Sequence, residues 1–199
     1  MSDFYTGQLP LNVTFVLYKN PTSIMKHTII TLLLVPQLAF GQLTKPDSLW
    51  LPLEPLIGKW TGTGDAPEGK GIYERSYTFV LNKKFIELRN RSVYPPTKEN
   101  PKGYTHEDHG YISYDKARNK FVLRQFHSEG FVNQYVLESV SSDSKTIVFV
   151  TESIENIPPG WRGRETYTVT DESLTEDFDL AEPNKDFAPY TKATFKRAR

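Results

Sequence analysis

Ten side chains in this chain have the types and spacing to hold or act on a small molecule. The clearest run is LRQFHSEGFVNQY, Leu123–Tyr135. Ser128-Glu129-Gly130 reads as a tight turn between two alternating segments. Counting outward from it pairs Gln125 with Asn133 and Leu123 with Tyr135. Gln125, His127, Asn133 and Tyr135 then share one face, because a strand turns every second side chain to the same side. The same count across Asn82-Lys83 pairs Arg75 with Asn90, Tyr77 with Leu88 and Phe79 with Ile86. In Arg164–Val169 the apolar parity of Tyr167 and Val169 sends Glu165 inward and Arg164 outward. A four-residue turn at Ser142–Lys145 sets Glu152 across from Tyr135. The candidate ligand-binding set is therefore Arg75, Tyr77, Asn90, Gln125, His127, Asn133, Tyr135, Glu152, Glu165 and Tyr167. An imidazole that titrates near neutrality can hydrogen-bond a ligand or move a proton. An inward Glu165 needs a partner such as Arg75 or Tyr135.

Other chemistry finds less support. His106-Glu107-Asp108-His109 holds two His three apart, but it falls in a stretch read as a solvated loop with no firm third donor, so no metal site is expected. The chain has no Cys, which excludes thiolate metal sites, a Cys nucleophile and disulfides. It has no Gly-x-Ser-x-Gly and no Gly-rich phosphate loop opening a helix. Lys plus Arg and Asp plus Glu number 24 each. No basic stripe is present, so nucleic acid is not an expected partner.

The elements that must position these residues are strands. Period-two patterns dominate from Lys59 onward. About ten strands are read, at Lys59–Asp65, Gly71–Leu81, Lys84–Tyr94, Gly110–Tyr114, Lys120–Ser128, Phe131–Val140, Thr146–Ile154, Arg164–Thr170, Leu174–Leu180 and Tyr190–Arg197. The longest loop, Pro95–His109, is placed at a barrel mouth. Many short strands at hairpin spacing indicate a sandwich or a barrel. A face carrying Arg75, Asn90, Gln125 and Asn133 together suits a solvated or ligand-filled barrel better than a packed core, where each polar group needs a partner.

The front of the chain reads differently. Met25 opens MKHTIITLLLVPQLAFGQ: Lys26 supplies charge, Ile29–Val35 an apolar stretch, and Ala39 and Gly41 small residues before Gln42. That is the pattern of a secretory signal peptide, and the apolar stretch falls short of the roughly 20 residues that span a bilayer. Residues 1–24 are read as an upstream over-extension, 25–41 as a signal peptide cleaved near Gly41-Gln42, 42–52 as a lead-in and 53–199 as the barrel domain. The mature protein is expected to be exported to the periplasm or beyond, with no membrane span.

LEPLIGKWTGTG, Leu53–Gly64, resembles the start of the calycin superfamily, which comprises lipocalins, fatty-acid-binding proteins and nitrobindin-like haem barrels. The Gly58-Lys59-Trp60 triplet matches its Gly-x-Trp. Leu123–Tyr135, Pro158–Tyr167 (PPGWRGRETY) and Glu176–Tyr190 (EDFDLAEPNKDFAPY) are similar to bacterial lipocalin-like or haem-binding-like barrels. The resemblance implies an all-β, closed antiparallel up-and-down barrel with a short 3-10 helix before the first strand, formed by Leu53–Ile57. It implies that Trp60 plugs one end against Lys196 or Arg197, and that Gly62 and Gly64 permit a bend or bulge. It also implies a haem ligand, a His late in the chain. No His follows His127, which counts against haem as a cofactor.

The expectation is thus a barrel that binds a small, largely apolar ligand with a polar or anionic group. Phe79, Leu88 and Phe178 would line its apolar part. An enzyme using Glu165, Tyr135, Arg75 and His127 is the second reading, with binding favoured over catalysis. A nitrobindin-like haem carrier is the third.

Overall fold

The computed structural model describes residues 48–98 and 100–198. The expected over-extension, the signal peptide and the first part of the lead-in (42–47) lie outside the described residues. The rest is ten strands and one short 3-10 turn, Glu54–Leu56. The strands are β1 (Gly58–Ala66), β2 (Gly69–Val80), β3 (Phe85–Tyr94), β4 (Tyr104–Asp115), β5 (Lys120–His127), β6 (Val132–Val140), β7 (Thr146–Glu155), β8 (Arg162–Val169), β9 (Ser173–Ala181) and β10 (Ala188–Arg197). Each pairs antiparallel with its sequence neighbour, and β1 pairs with β10, so the sheet closes into a barrel without an edge. Among the described residues no helix is long and apolar enough to cross a membrane.

Alternation sets the faces. In β2, Gly71, Tyr73, Arg75 and Tyr77 are buried while Ile72, Glu74 and Thr78 are exposed. The expected register holds: Arg75 faces Asn90, Tyr77 faces Leu88, Gln125 faces Asn133 and Leu123 faces Tyr135. The first hairpin reaches that register through a four-residue loop, with Leu81, Asn82 and Lys83 all at positive φ, rather than through Asn82-Lys83 alone.

Three expectations change. The loop after β3 ends earlier than expected, because β4 begins at Tyr104 and pairs with β3 from Tyr94↔Tyr104 onward. Glu152 does not face Tyr135. The β6–β7 ladder shifts between Leu137 and Ser139 and again between Gln134 and Tyr135, which sets Tyr135 opposite Thr151. Glu152 is the extra residue of the second irregularity, and it lies outside the barrel with Arg118 at 2.8 Å. Finally, β1 carries no register shift on either side. At Gly62 a methyl group would collide with the Thr194 carbonyl oxygen and come within 2.7 Å of Phe195 Cα, so the glycine serves close approach of the first and last strands.

One end of the barrel is solid. Leu53, Leu56 and Trp60 have no exposed surface, and Trp50 packs on Phe79 and Phe121 at ring distances of 5.8 and 5.2 Å. Phe79 and Leu88 belong to this packed end and not to a ligand site. Trp60 donates its indole N–H to the Leu56 carbonyl at 2.9 Å. Arg197, not Lys196, covers the indole, with its guanidinium 4.1 Å from the ring centroid. The same guanidinium donates to the Ile57 carbonyl at 2.7 Å and to the Asp171 carbonyl at 3.1 Å. One side chain thereby ties the 3-10 turn, the first strand, the last strand and the β8–β9 turn.

Trp60→Ala should cost about 3–5 kcal/mol in chemical denaturation through lost transfer energy and a residual cavity. Arg197→Ala should cost about 1–2 kcal/mol. Arg197→Lys should recover less than half of that loss, because an ammonium lacks the planar fork that reaches two carbonyls.

Candidate functional site

Above the packed end the barrel is hollow. A cavity of about 520 Å³ opens at the opposite end, within the usual range for a ligand site. Its mouth is largely apolar and aromatic, with Tyr94, Tyr104, Phe131, Trp161, Phe178 and Tyr190 contributing. Phe178 thus lines the apolar part as expected.

Between cavity and packed core lies a buried ion pair. Arg75 on β2 grips Glu176 on β9 with two donors, Nη2 to Oε1 at 2.7 Å and Nε to Oε2 at 2.9 Å. β1 and β10 lie between these strands in the barrel wall, so the pair is a chord across the interior. Nη1 donates to the Glu74 and Arg91 carbonyls and to Ser92 Oγ. The guanidinium lies 5.1 Å from the Tyr73 ring and 5.4 Å from the Phe195 ring. Burial opposes its charge, but Glu176 more than offsets this, and its pKa rises above its ordinary value. Every nitrogen of Arg75 is therefore held by the protein itself. Its partner is Glu176, not Glu165.

Glu165 faces inward as parity required, and Arg164 faces outward to Asp179 at 2.7 Å. Oε2 of Glu165 is buried without a hydrogen-bond partner. Burial, reinforced by the neighbouring Glu176 charge, pushes its carboxyl well above the carboxylate range. Burial likewise keeps the Tyr135 phenol protonated.

A second polar group occupies β4, β5 and the β5–β6 turn. His106 and Asp108, expected in a solvated loop, both line the cavity. They lie on the inward face of β4, and Asp108 is the strand partner of His127. Asp108 Oδ1 accepts from Asn90 Nδ2 at 2.9 Å and from Gln125 Nε2 at 3.1 Å. His106 Nδ1 lies 3.0 Å from Glu129 Oε1, which also accepts from the Tyr104 hydroxyl. Burial would lower His106, but its bonds to Asp108 and Glu129 outweigh that and raise it. Burial lowers His127 to about 4 and holds its ring neutral. Burial would raise Glu129, yet hydrogen bonds from Tyr104 and His106 bring it down to about 2.

Five of the ten expected residues line the cavity: Arg75, His127, Asn133, Tyr135 and Glu165. Asn90 and Gln125 stand behind the lining and hold Asp108. Tyr77 and Tyr167 are buried in the packed core, where their rings meet edge to face at 6.2 Å. Glu152 is outside. The sequence reading missed His106, Asp108, Glu129 and Glu176. The signal for the first two was present: His106, Asp108, Gly110, Ile112 and Tyr114 keep the parity of β4, but the charges of HEDH concealed it.

A closed ten-stranded meander with a plugged end, a Gly-x-Trp and a hollow opposite end is a calycin-type barrel. The chain belongs to the family of THAP4-like, heme-binding beta-barrel domains, whose family model matches residues 50–197. Among solved structures it is similar to Rv2717c from M. tuberculosis, at 19% identity and a TM-score of 0.57, over 76% of this chain and 98% of that one. This likeness supports the fold. No curated protein matches significantly.

Removing Glu176 alone (Glu176→Leu) should destabilise by about 3–5 kcal/mol, since Arg75 is left buried and unpaired. Arg75→Met with Glu176→Leu should recover most of that in urea titrations. For Glu165 the folded pKa lies above the unfolded 4.5. As pH rises past 4.5 the unfolded chain releases this proton and the folded chain keeps it, so stability falls. Glu165→Gln should therefore have a higher Tm than the parent at pH 7, with the gap closing as pH falls to 4.5.

Proposed function

We propose that this barrel binds haem in the cavity at its open end. The observation that carries the reading is an aromatic-walled cavity holding imidazoles in a chain whose family is described as haem-binding. A flat, largely apolar macrocycle suits walls formed by Tyr94, Phe131, Trp161 and Phe178. Burial of such a surface is favourable at roughly 25 cal/mol per Å².

Whether these residues fit the group turns on the iron and on the carboxylates. An axial ligand is required. The side chains that β10 turns to the cavity are Tyr190 and Thr191, and no His follows His127. His106 or His127 would therefore take the iron, and burial already keeps His127 in the neutral form that ligates. The lining holds no Lys, and its one Arg is paired with Glu176. The described lining thus offers no unpaired Lys to neutralise the haem carboxylates. The ligand is thus anchored by its apolar body and its metal, and not by an anionic group deep in the barrel.

When bound, haem supplies an iron for diatomic or redox chemistry. The protein's own part is to exclude water with the aromatic mouth, present an imidazole, and keep Glu165 and Tyr135 protonated beside the ligand as hydrogen-bond donors.

Addition of ferric haem to purified protein should give a Soret band that saturates at one equivalent. Substituting the ligating His (His127→Ala or His106→Ala) should weaken uptake by about tenfold or more. A protein that stays colourless after reconstitution and desalting overturns the reading.

A further inference from the structure

We propose that His106, Asp108 and His127 form a binding site for one divalent first-row transition-metal ion, Zn²⁺ above all, that needs no porphyrin. The three residues come from adjacent strands, with Asp108 paired to His127 and His106 two residues before Asp108 on the same face. Their ligating atoms converge. His106 Nε2 lies 3.4 Å from His127 Nδ1 and 3.5 Å from Asp108 Oδ2, and one ligating atom from each of the three residues falls within 4.8 Å of the others. Around a tetrahedral ion with bonds of about 2.0–2.1 Å, ligand atoms stand about 3.3–3.4 Å apart. The two shorter separations match that edge before any ion draws the groups together.

The remaining atoms of these residues are already engaged in the way ligation demands. Glu129 holds His106 Nδ1 at 3.0 Å; with the proton on Nδ1, Nε2 turns a lone pair to the cluster once an ion replaces its 3.5 Å contact with Asp108 Oδ2, and a carboxylate behind a ligating imidazole orients it and raises its basicity. Asn90 and Gln125 occupy Asp108 Oδ1, leaving Oδ2, which faces His106 Nε2, as the oxygen that would ligate. Asn133 stands 3.2 Å from His127 Nε2 and 2.8 Å from the Tyr135 hydroxyl through the same amide atom, while its other amide atom has no partner. Turning the amide over places its oxygen where it accepts from both the ring N–H and the phenol, the arrangement that ligation through Nδ1 requires.

Charge points the same way. Asp108 is only 4% exposed, and its one ion-pair partner among the described residues is His106. Asp108 and Glu129 share the single imidazole of His106 as ion-pair partner and have no Lys or Arg within ion-pair distance among the described residues, so two carboxylates face at most one positive charge and a metal cation suits them. Two imidazoles and one carboxylate, with the fourth position facing the cavity, suit Zn²⁺, Co²⁺ or Fe²⁺ rather than Ca²⁺ or Mg²⁺. The fourth position would hold water or a small ligand.

The test uses haem-free full-chain protein stripped with chelator. Co²⁺ is followed by its visible absorption and Zn²⁺ by calorimetry. One equivalent of each should bind, with a tetrahedral-type Co²⁺ spectrum. His106→Ala and Asp108→Asn should each weaken binding by about tenfold or more, and Glu129→Gln by about 10–100-fold while keeping the stoichiometry. His109→Ala, outward-facing on the same strand, should match the parent. Circular dichroism of each variant separates lost ligation from lost folding. Absence of one-equivalent binding, or binding that survives in folded His106→Ala and Asp108→Asn, overturns the site. Haem uptake is read separately, so a protein that takes Zn²⁺ and not haem, or haem and not Zn²⁺, tells the two readings apart.

Discussion

The bidentate grip of Arg75 on Glu176 is the constraint around which this barrel is organised. Two full charges inside a protein lose several kcal/mol of hydration each, and only close, well-satisfied geometry offsets that loss. Here the offset is built in layers: two direct bonds, two backbone carbonyls, a serine hydroxyl and two aromatic faces. The pair joins strands that are not neighbours in the sheet, so it ties the wall together across β1 and β10. Below it, side chains fill the interior. Above it, the tyrosines, carboxylates and imidazoles leave a hollow.

That division explains why the polar residues of the upper half do not form one network. Arg75 spends its charge on Glu176, so Glu165, left without a cation, is held in its neutral form by burial. Asp108 and Glu129 are stabilised from elsewhere, by two side-chain amides in one case and by Tyr104 and His106 in the other. A protonated carboxyl, Glu165, and the ionised carboxylates Asp108 and Glu129 thus line one cavity. Their roles follow from their neighbours and not from their residue type.

Much of this was legible in the sequence, for identifiable reasons. Tight turns fix register, so the pairings of Arg75 with Asn90 and of Gln125 with Asn133 could be counted, and Gly58-Lys59-Trp60 marked the closed end. Glu165 followed from the parity of Tyr167. The failures are equally local. Strict counting from the Ser142–Lys145 turn is correct near the turn and again at Asn133↔Ile154, but two ladder irregularities intervene, and Glu152 sits in one of them. An irregular ladder leaves no mark in residue type. His106 and Asp108 were lost because a run of charge resembles a loop, although their alternation with Ile112 was intact. Glu176 lay in a stretch noted only for its resemblance; no local pattern couples it to a residue 101 positions away.

The plug at the closed end also decides where the polypeptide enters and leaves. Trp50 packs against Phe79 and Phe121, and the Ala198 amide donates to the Lys59 carbonyl, so both ends of the described chain emerge at the sealed base. The last described strand therefore ends beside the plug, and a reporter, affinity handle or solid support joined after it is attached at the base and not at the rim. The barrel can accordingly be immobilised or fused by its tail while its rim stays turned to the bulk solution.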